Sequence, residues 1–170
     1  GADSALKLRD IGFRVAGWRR SRKPIPGVES FAGAEEFDAF LARTDVLVSL
    51  LPATPDTDGV INRTTIRKLS RKGPFGAPIV INAGRGRQQV ADDIVAALDA
   101  GELHAATLDV FMVEPLPEDS PLWTHPRVTV TPHCAADSDP ETICAYVANN
   151  IRRHQSGETL GNLVDRARGY

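Results

Sequence analysis

Arg85, Glu114 and His133 are the residues of this chain whose types could do chemistry together on a small oxo acid. A guanidinium keeps its charge near neutral pH and forks onto a carboxylate with two parallel hydrogen bonds. An imidazole titrates near pH ~6.5 and can give or take a proton at working pH. A carboxylate beside it stabilises the imidazolium and orients the ring. The trio suits a substrate with a carboxylate next to a carbonyl or hydroxyl, with a hydride arriving from a nicotinamide. Taken singly, each residue has an ordinary explanation. Arg85 can be a solvated surface charge, His133 a ring held by local bonds, Glu114 a turn residue, and the nearby Asp109 a helix cap. The joint pattern argues otherwise, because each follows an apolar run and stands beside glycine or proline. The segments are Asn82-Ala83-Gly84-Arg85-Gly86, Asp109-Val110-Phe111-Met112-Val113-Glu114-Pro115-Leu116-Pro117 and Thr131-Pro132-His133-Cys134-Ala135. A fourth apolar run ends in Leu51-Pro52-Ala53-Thr54-Pro55.

The elements that must position these residues alternate along the chain. Apolar runs at 13–18, 45–51, 78–82, 104–110 and 127–131 read as strands. Residues 35–43 read as a helix, with Phe37, Phe40 and Leu41 on one face. Asn62 caps a short helix carrying Ile66 and Leu69. A helix over about 90–100 has Asp92 and Asp93 in its first turn and Gly101 past its end. Asp139 caps a longer helix, with Pro140 in its first position, Ile143, Val147 and Ile151 on one face, and Gly157 at its end. Alternation at this spacing means right-handed crossovers and a parallel sheet. The fold class is α/β, a doubly wound parallel sheet of the Rossmann kind followed by a C-terminal helical segment. Strands this apolar are expected to be covered by helices on both faces. In such sheets ligands bind beyond the carboxyl ends of the strands, where the trio falls.

The bulk numbers set the class. Over 170 residues, 42% hydrophobic and 25% charged residues describe an ordinary globular chain. A formal charge of -2 and a pI near 6.1 give no drive toward nucleic acid or an anionic membrane. No apolar run approaches the roughly 20 residues of a membrane span. Two cysteines, Cys134 and Cys144, imply no disulfide framework, and a cytoplasmic location is expected.

At the three segments the sequence resembles the D-2-hydroxyacid dehydrogenase family. Asn-Ala-Gly-Arg-Gly at 82–86, Asp-Val-Phe-x-x-Glu-Pro-Leu-Pro at 109–117 and Thr-Pro-His-x-Ala at 131–135 look like its signatures. Leu-Leu-Pro-x-Thr-Pro-x-Thr at 50–57 is similar too. The run Trp18-Arg19-Arg20-Ser21-Arg22-Lys23 and the ending Val164-Asp165-Arg166-Ala167-Arg168-Gly169-Tyr170 resemble the glyoxylate/hydroxypyruvate reductase A type. The resemblance implies reduction of a small 2-keto acid, such as glyoxylate or hydroxypyruvate, by a homodimer. It implies that Arg85 holds the substrate carboxylate and that His133 protonates the ketone oxygen. Glu114 would pair with His133, and Asp109 would contact the nicotinamide amide. Leu51, Pro52, Ala83, Gly84 and Ala135 would line the cofactor groove.

Cofactor choice has its own physical argument. An acidic residue at the end of the second strand of a dinucleotide fold bonds the ribose 2′-hydroxyl and selects NAD. Here that place holds Arg19, Arg20, Ser21 and Arg22, which favour a 2′-phosphate, so NADPH is expected over NADH. The other reading of this run is a solvated basic loop.

The departures from the family pattern shape the remaining expectations. A dinucleotide fold opens with strand, Gly-x-Gly-x-x-Gly and helix. Gly1 falls on the third glycine, residues 2–11 on the helix, and the first strand has no counterpart. Such a strand carries ladder bonds and buried side chains worth of order ~10 kcal/mol. That rivals the ~5–15 kcal/mol stability of a whole domain. The expectation is therefore a C-terminal fragment, inactive alone, with a truncated nucleotide-binding domain over 1–137. Residues 138–170 would return to an absent substrate-binding domain. The competing class is a non-catalytic dinucleotide-binding or corepressor-like scaffold of the same fold. Cys134 as a nucleophile beside His133 is disfavoured, since neighbours on an extended chain point to opposite faces.

Overall fold

The computed structural model describes residues 1–136 and 138–166. Asp137 and the closing Ala167-Arg168-Gly169-Tyr170 of the terminal motif lie outside the described residues. The chain divides into two compact units, Gly1–Pro132 and a second beginning at His133.

The first unit runs α1 (Ala2–Asp10), β1 (Ala16–Arg19), β2 (Glu29–Ala32), α2 (Phe37–Ala42), β3 (Val46–Ser49), α3 (Arg63–Lys68), β4 (Ile79–Asn82), α4 (Ala91–Asp99), β5 (Ala105–Leu108) and β6 (Val128–Val130). Every strand pairing is parallel. The strands form two ladders, β1-β2 and β3-β4-β5-β6. The chain thus winds outward in two directions, as the doubly wound order requires. Among the described residues the ladder is interrupted between β1 and β3, where that order has its first strand.

β2 has no counterpart in the expected strands. Glu29-Ser30-Phe31-Ala32 is short and not periodic, so its strand state comes from tertiary partners. It pairs along β1 from Ala16↔Glu29 to Arg19↔Ala32, and Phe31 packs on Phe40 with ring centroids 5.9 Å apart. Asn62 caps α3 as expected, its side chain accepting from the Thr65 amide at 3.0 Å.

The core lies on one face of the larger ladder. Leu47, Val80, Ala106 and Leu108 are buried there against Ile66, Ile94, Ala97 and Leu98. The expectation of cover on both faces is corrected for β3. Its burial alternates, and Val46 and Val48 on the other face are 46% and 41% exposed.

The second unit contains α5 (Pro140–Gln155). Asp139 caps it as expected, accepting from the Thr142 amide at 3.0 Å, and Gly157 follows its end with φ of +73°. Bonds from the Thr142 hydroxyl and amide hold the Asp139 carboxyl below the usual carboxylate range. Ile143, Val147 and Ile151 on this helix are exposed.

Candidate functional site

The carboxyl edge of the larger ladder is in register. Ser49 pairs with Asn82, Asn82 with Leu108, and Leu108 with Val130. The parallel pattern continues one residue further along all three junctions. Ala83 N–H donates to Ser49, Asp109 N–H to Asn82 and Thr131 N–H to Leu108, at 3.1, 2.9 and 3.0 Å. The segments after β3, β4 and β5, and Thr131-Pro132 after β6, therefore leave the sheet from one edge.

Beneath that edge the core turns polar. Ser49 and Asn82 continue the face that carries Leu47 and Val80, and both are buried. They survive burial because the single-turn helix Gly86–Gln88 delivers two glutamine amides to them. Gln88 accepts from Ser49 Oγ at 2.8 Å and from the Arg85 amide at 3.3 Å. Its Nε2 donates to the Leu51 and Pro52 carbonyls at 2.6 and 3.1 Å. Gln89 accepts from Asn82 Nδ2 at 2.8 Å and donates to the Val110 carbonyl at 2.9 Å. Asn82 also donates to the Arg85 carbonyl and accepts from the Gly84 amide. The loops after β3, β4 and β5 are thus tied to one buried polar floor. Sequence reasoning missed Ser49, Gln88 and Gln89. The available signal was a polar pair, Gln88-Gln89, set between an arginine–glycine turn and an apolar helix.

Arg85 rides on this floor with its side chain exposed, and one of its guanidinium nitrogens, Nη1, donates to the Gly84 carbonyl at 2.7 Å. The next residue, Gly86, packs against the peptide joining Phe111 to Met112. That contact brings the Arg85 turn against the loop that carries Glu114. Glu114 accepts from the Phe111 amide at 2.9 Å, which folds its carboxylate back on the start of the loop. Asp109 is buried at the end of β5 and accepts from the Thr131 hydroxyl. His133 and Ala135 open the second unit, both exposed. His133 has φ of +56°, a left-handed conformation uncommon for a residue other than glycine.

The expected cofactor residues of the first unit lie at the end of β1 or follow β1, β3, β4 and β5 or, for Gly1, precede α1. Gly1 is the N-cap of α1. Arg19 ends β1, and Arg20, Ser21 and Arg22 follow it, all exposed. Arg22 is bonded to the Ser30 carbonyl at 2.8 Å and paired with Glu36. Leu51 and Ala83 are half-buried, Pro52 is exposed and Gly84 is buried. A β-carbon on Gly84 would lie 2.4 Å from Gln88 Oε1 and 3.0 Å from the Leu51 carbonyl oxygen, so only glycine lets the backbone pack this closely on the buried amide. The donor set fits a phosphorylated dinucleotide: cations beyond β1, backbone at β4 and a buried acceptor beyond β5.

Residues 1–135 match the family model described as D-isomer specific 2-hydroxyacid dehydrogenase, NAD binding domain. The chain is 52% identical to an NADPH-dependent glyoxylate/hydroxypyruvate reductase from Sinorhizobium meliloti, solved with NADP and sulfate. That match covers 100% of this chain and 54% of the other, with a TM-score of 0.97. A probable 2-hydroxyacid dehydrogenase from Rhizobium etli CFN 42, solved with NADP, HEPES and L(+)-tartaric acid, is 50% identical. There the match covers 100% of this chain and 53% of the other, with a TM-score of 0.94. A D-isomer specific 2-hydroxyacid dehydrogenase from Xanthobacter autotrophicus Py2, solved with NADPH and MES, is 43% identical over 100% of this chain and 68% of the other, also at 0.94. The chain spans about half the length of the first two of these relatives. No helix among the described residues is long and apolar enough to cross a membrane. By the family model, by identity and by fold, the chain belongs to the D-isomer specific 2-hydroxyacid dehydrogenase family through its NAD-binding domain.

Proposed function

We propose that this chain is the dinucleotide-binding part of an NADPH-dependent reductase of short 2-keto acids, converting glyoxylate to glycolate and hydroxypyruvate to glycerate. The observation that carries the reading is the edge itself. The buried Gly84 backbone and the exposed Arg85 follow β4, the buried Asp109 carboxylate follows its in-register neighbour β5, and a cationic loop follows β1 of the smaller ladder. The bound cofactor supplies a hydride to the carbonyl carbon.

The residues of this chain do the rest. Arg85 forks onto the substrate carboxylate and holds the carbonyl next to it in one orientation. His133 gives its proton to the carbonyl oxygen as the alcohol forms. Glu114 favours the protonated imidazole. Asp109, which accepts from the Thr131 hydroxyl, would hold the carboxamide of the nicotinamide. Arg19, Arg20 and Ser21 bind the 2′-phosphate, while Arg22, held by Glu36 and Ser30, fixes the loop that presents them. Leu51, Pro52, Ala83, Gly84 and Ala135 would line the groove, and Gly1, the N-cap of the first helix, would meet the pyrophosphate. The complete enzyme is a homodimer of the cytoplasm, its dimeric state checked by sedimentation of the full-length protein and its location by cell fractionation.

Support comes from the family membership and from relatives that are described with NADP or NADPH. The test is NADPH oxidation, followed at the nicotinamide absorbance, by the full-length protein with glyoxylate and with hydroxypyruvate. Turnover with either supports the reading. NADPH binding without turnover on any 2-keto acid would leave a nucleotide-binding scaffold instead.

A further inference from the structure

We propose that Gln88 is a positioning residue that locks the carboxylate-binding arginine to the wall of the cofactor groove. The inference rests on the proposed reductase activity for its substrate readout, and on geometry for everything else. The Gln88 side chain is fully buried in a single amide that reaches two loops at once. Its oxygen accepts from Ser49 Oγ and the Arg85 amide, and its nitrogen donates to the carbonyls of Leu51 and Pro52. Both donor hydrogens and both acceptor positions of the amide are therefore used. The Gln88 amide N–H also donates back to the Arg85 carbonyl at 3.1 Å, so backbone and side chain grip the same turn.

The chemistry of a terminal amide explains why this residue type is needed. Leu51 and Pro52 present only carbonyl oxygens, whereas Ser49 and Arg85 present an O–H and an N–H. One group must donate on one side and accept on the other. A carboxylate accepts only, an ammonium donates only, and a thioether does neither with strength. Gly84 is pinned in the same place, because any β-carbon on it would collide with Gln88 Oε1. The Arg85 backbone thus has no independent freedom relative to the Leu51 and Pro52 carbonyls. Displacing the groove wall displaces the guanidinium that binds the substrate.

The test uses the full-length protein in three variants. Gln88→Met keeps the volume and deletes both sides of the link. Ser49→Ala deletes only the hydroxyl that anchors the amide oxygen. Leu103→Val trims the core at the opposite edge of the sheet, where Leu103 precedes β5 and is fully buried, and serves as a stability control. Three quantities are read well below each melting temperature. They are the NADPH dissociation constant from nicotinamide fluorescence, the KM and kcat for glyoxylate, and hydrogen exchange in the segment containing the Arg85 amide.

For Gln88→Met the expected result is a rise of about tenfold in KM, with kcat changed much less, as loss of ground-state and transition-state binding alike requires. The NADPH dissociation constant rises several-fold, and the Arg85 segment exchanges faster. Ser49→Ala moves the same quantities in the same direction by a smaller factor. Leu103→Val lowers the melting temperature and moves none of them. If Gln88→Met fails to fold, Ser49→Ala alone decides. Wild-type KM, NADPH affinity and exchange in the folded link variants, or changes no larger than those of Leu103→Val, would overturn the assignment. Absence of turnover on any 2-keto acid in the wild type would overturn the proposed activity, while affinity and exchange still decide the role of Gln88.

Discussion

Gly86 lies against the Phe111 peptide so closely that a β-carbon on it would stand 1.9 Å from both the carbonyl carbon and the carbonyl oxygen. This contact joins the arginine turn to the loop bearing Glu114. Neither backbone can yield cheaply, since Phe111 is buried and its amide is bonded to Glu114. Gly86→Ala is therefore expected to cost more than the ~1–3 kcal/mol of ordinary overpacking. Urea unfolding of the full-length protein should show that loss, together with loss of turnover. A variant with wild-type stability would mean the two loops are further apart.

The basic loop beyond β1 makes a separate claim about the cofactor. Arg20→Asp in the full-length enzyme is expected to raise the KM for NADPH by about 10–100-fold, roughly one to two ion-pair contacts' worth of binding. The KM for NADH should stay the same or fall. Initial rates with both cofactors check this. An unchanged preference for NADPH would remove the loop from recognition of the 2′-phosphate.

Thr131 is the donor to buried Asp109. Thr131→Val keeps the shape and removes the hydroxyl's bond to the buried carboxylate. The expected cost is ~1–3 kcal/mol, with a weaker grip on the nicotinamide end of the cofactor. Chemical unfolding and NADPH titration measure the two effects independently.

Away from the site, Glu102 bridges Arg63 and Arg67 at 2.9 and 3.0 Å. Hydrogen bonds from Arg63 and then from Arg67 lower its carboxyl from 4.5 to about 2. The same bond raises the pKa of Arg63. A carboxylate whose pKa is depressed by folding stabilises the fold above its unfolded pKa, and the contribution disappears as pH falls through the folded value. The wild type should thus melt higher than Glu102→Gln above about pH 5, with the gap closing as the pH falls to about 2. A gap that stays constant over that range would mean the bridge contributes nothing through ionisation.

Much of this was legible in the residues, for physical reasons that differ by element. The caps on α3 and α5 were readable because Asn62 and Asp139 act locally, on amides three residues ahead. The strands ending in Asn82 and Leu108 were readable because buried parallel strands are continuous apolar runs. β2 was not, because its state depends on β1 and Phe40 rather than on its own pattern. Arg85, Glu114 and His133 stood out by residue type beside glycine and proline, and all three are exposed. The buried polar floor did not stand out. Gln88 and Gln89 look like surface polar residues until the fold shows them buried between three loops. Arg22 also illustrates the limit: its charge was visible in sequence, but its engagement with Glu36 and the Ser30 carbonyl was not.

The measurement that bears most directly on the proposed chemistry is the steady-state reduction of glyoxylate by NADPH in three full-length proteins: wild type, Arg85→Leu and His133→Gln. The account expects wild-type turnover and a large rise in KM for Arg85→Leu. For His133→Gln it expects a fall in kcat of about 10²–10⁴, the usual worth of a general acid, with NADPH affinity preserved. A His133→Gln enzyme that keeps wild-type kcat, or an Arg85→Leu enzyme that keeps wild-type KM, would contradict it.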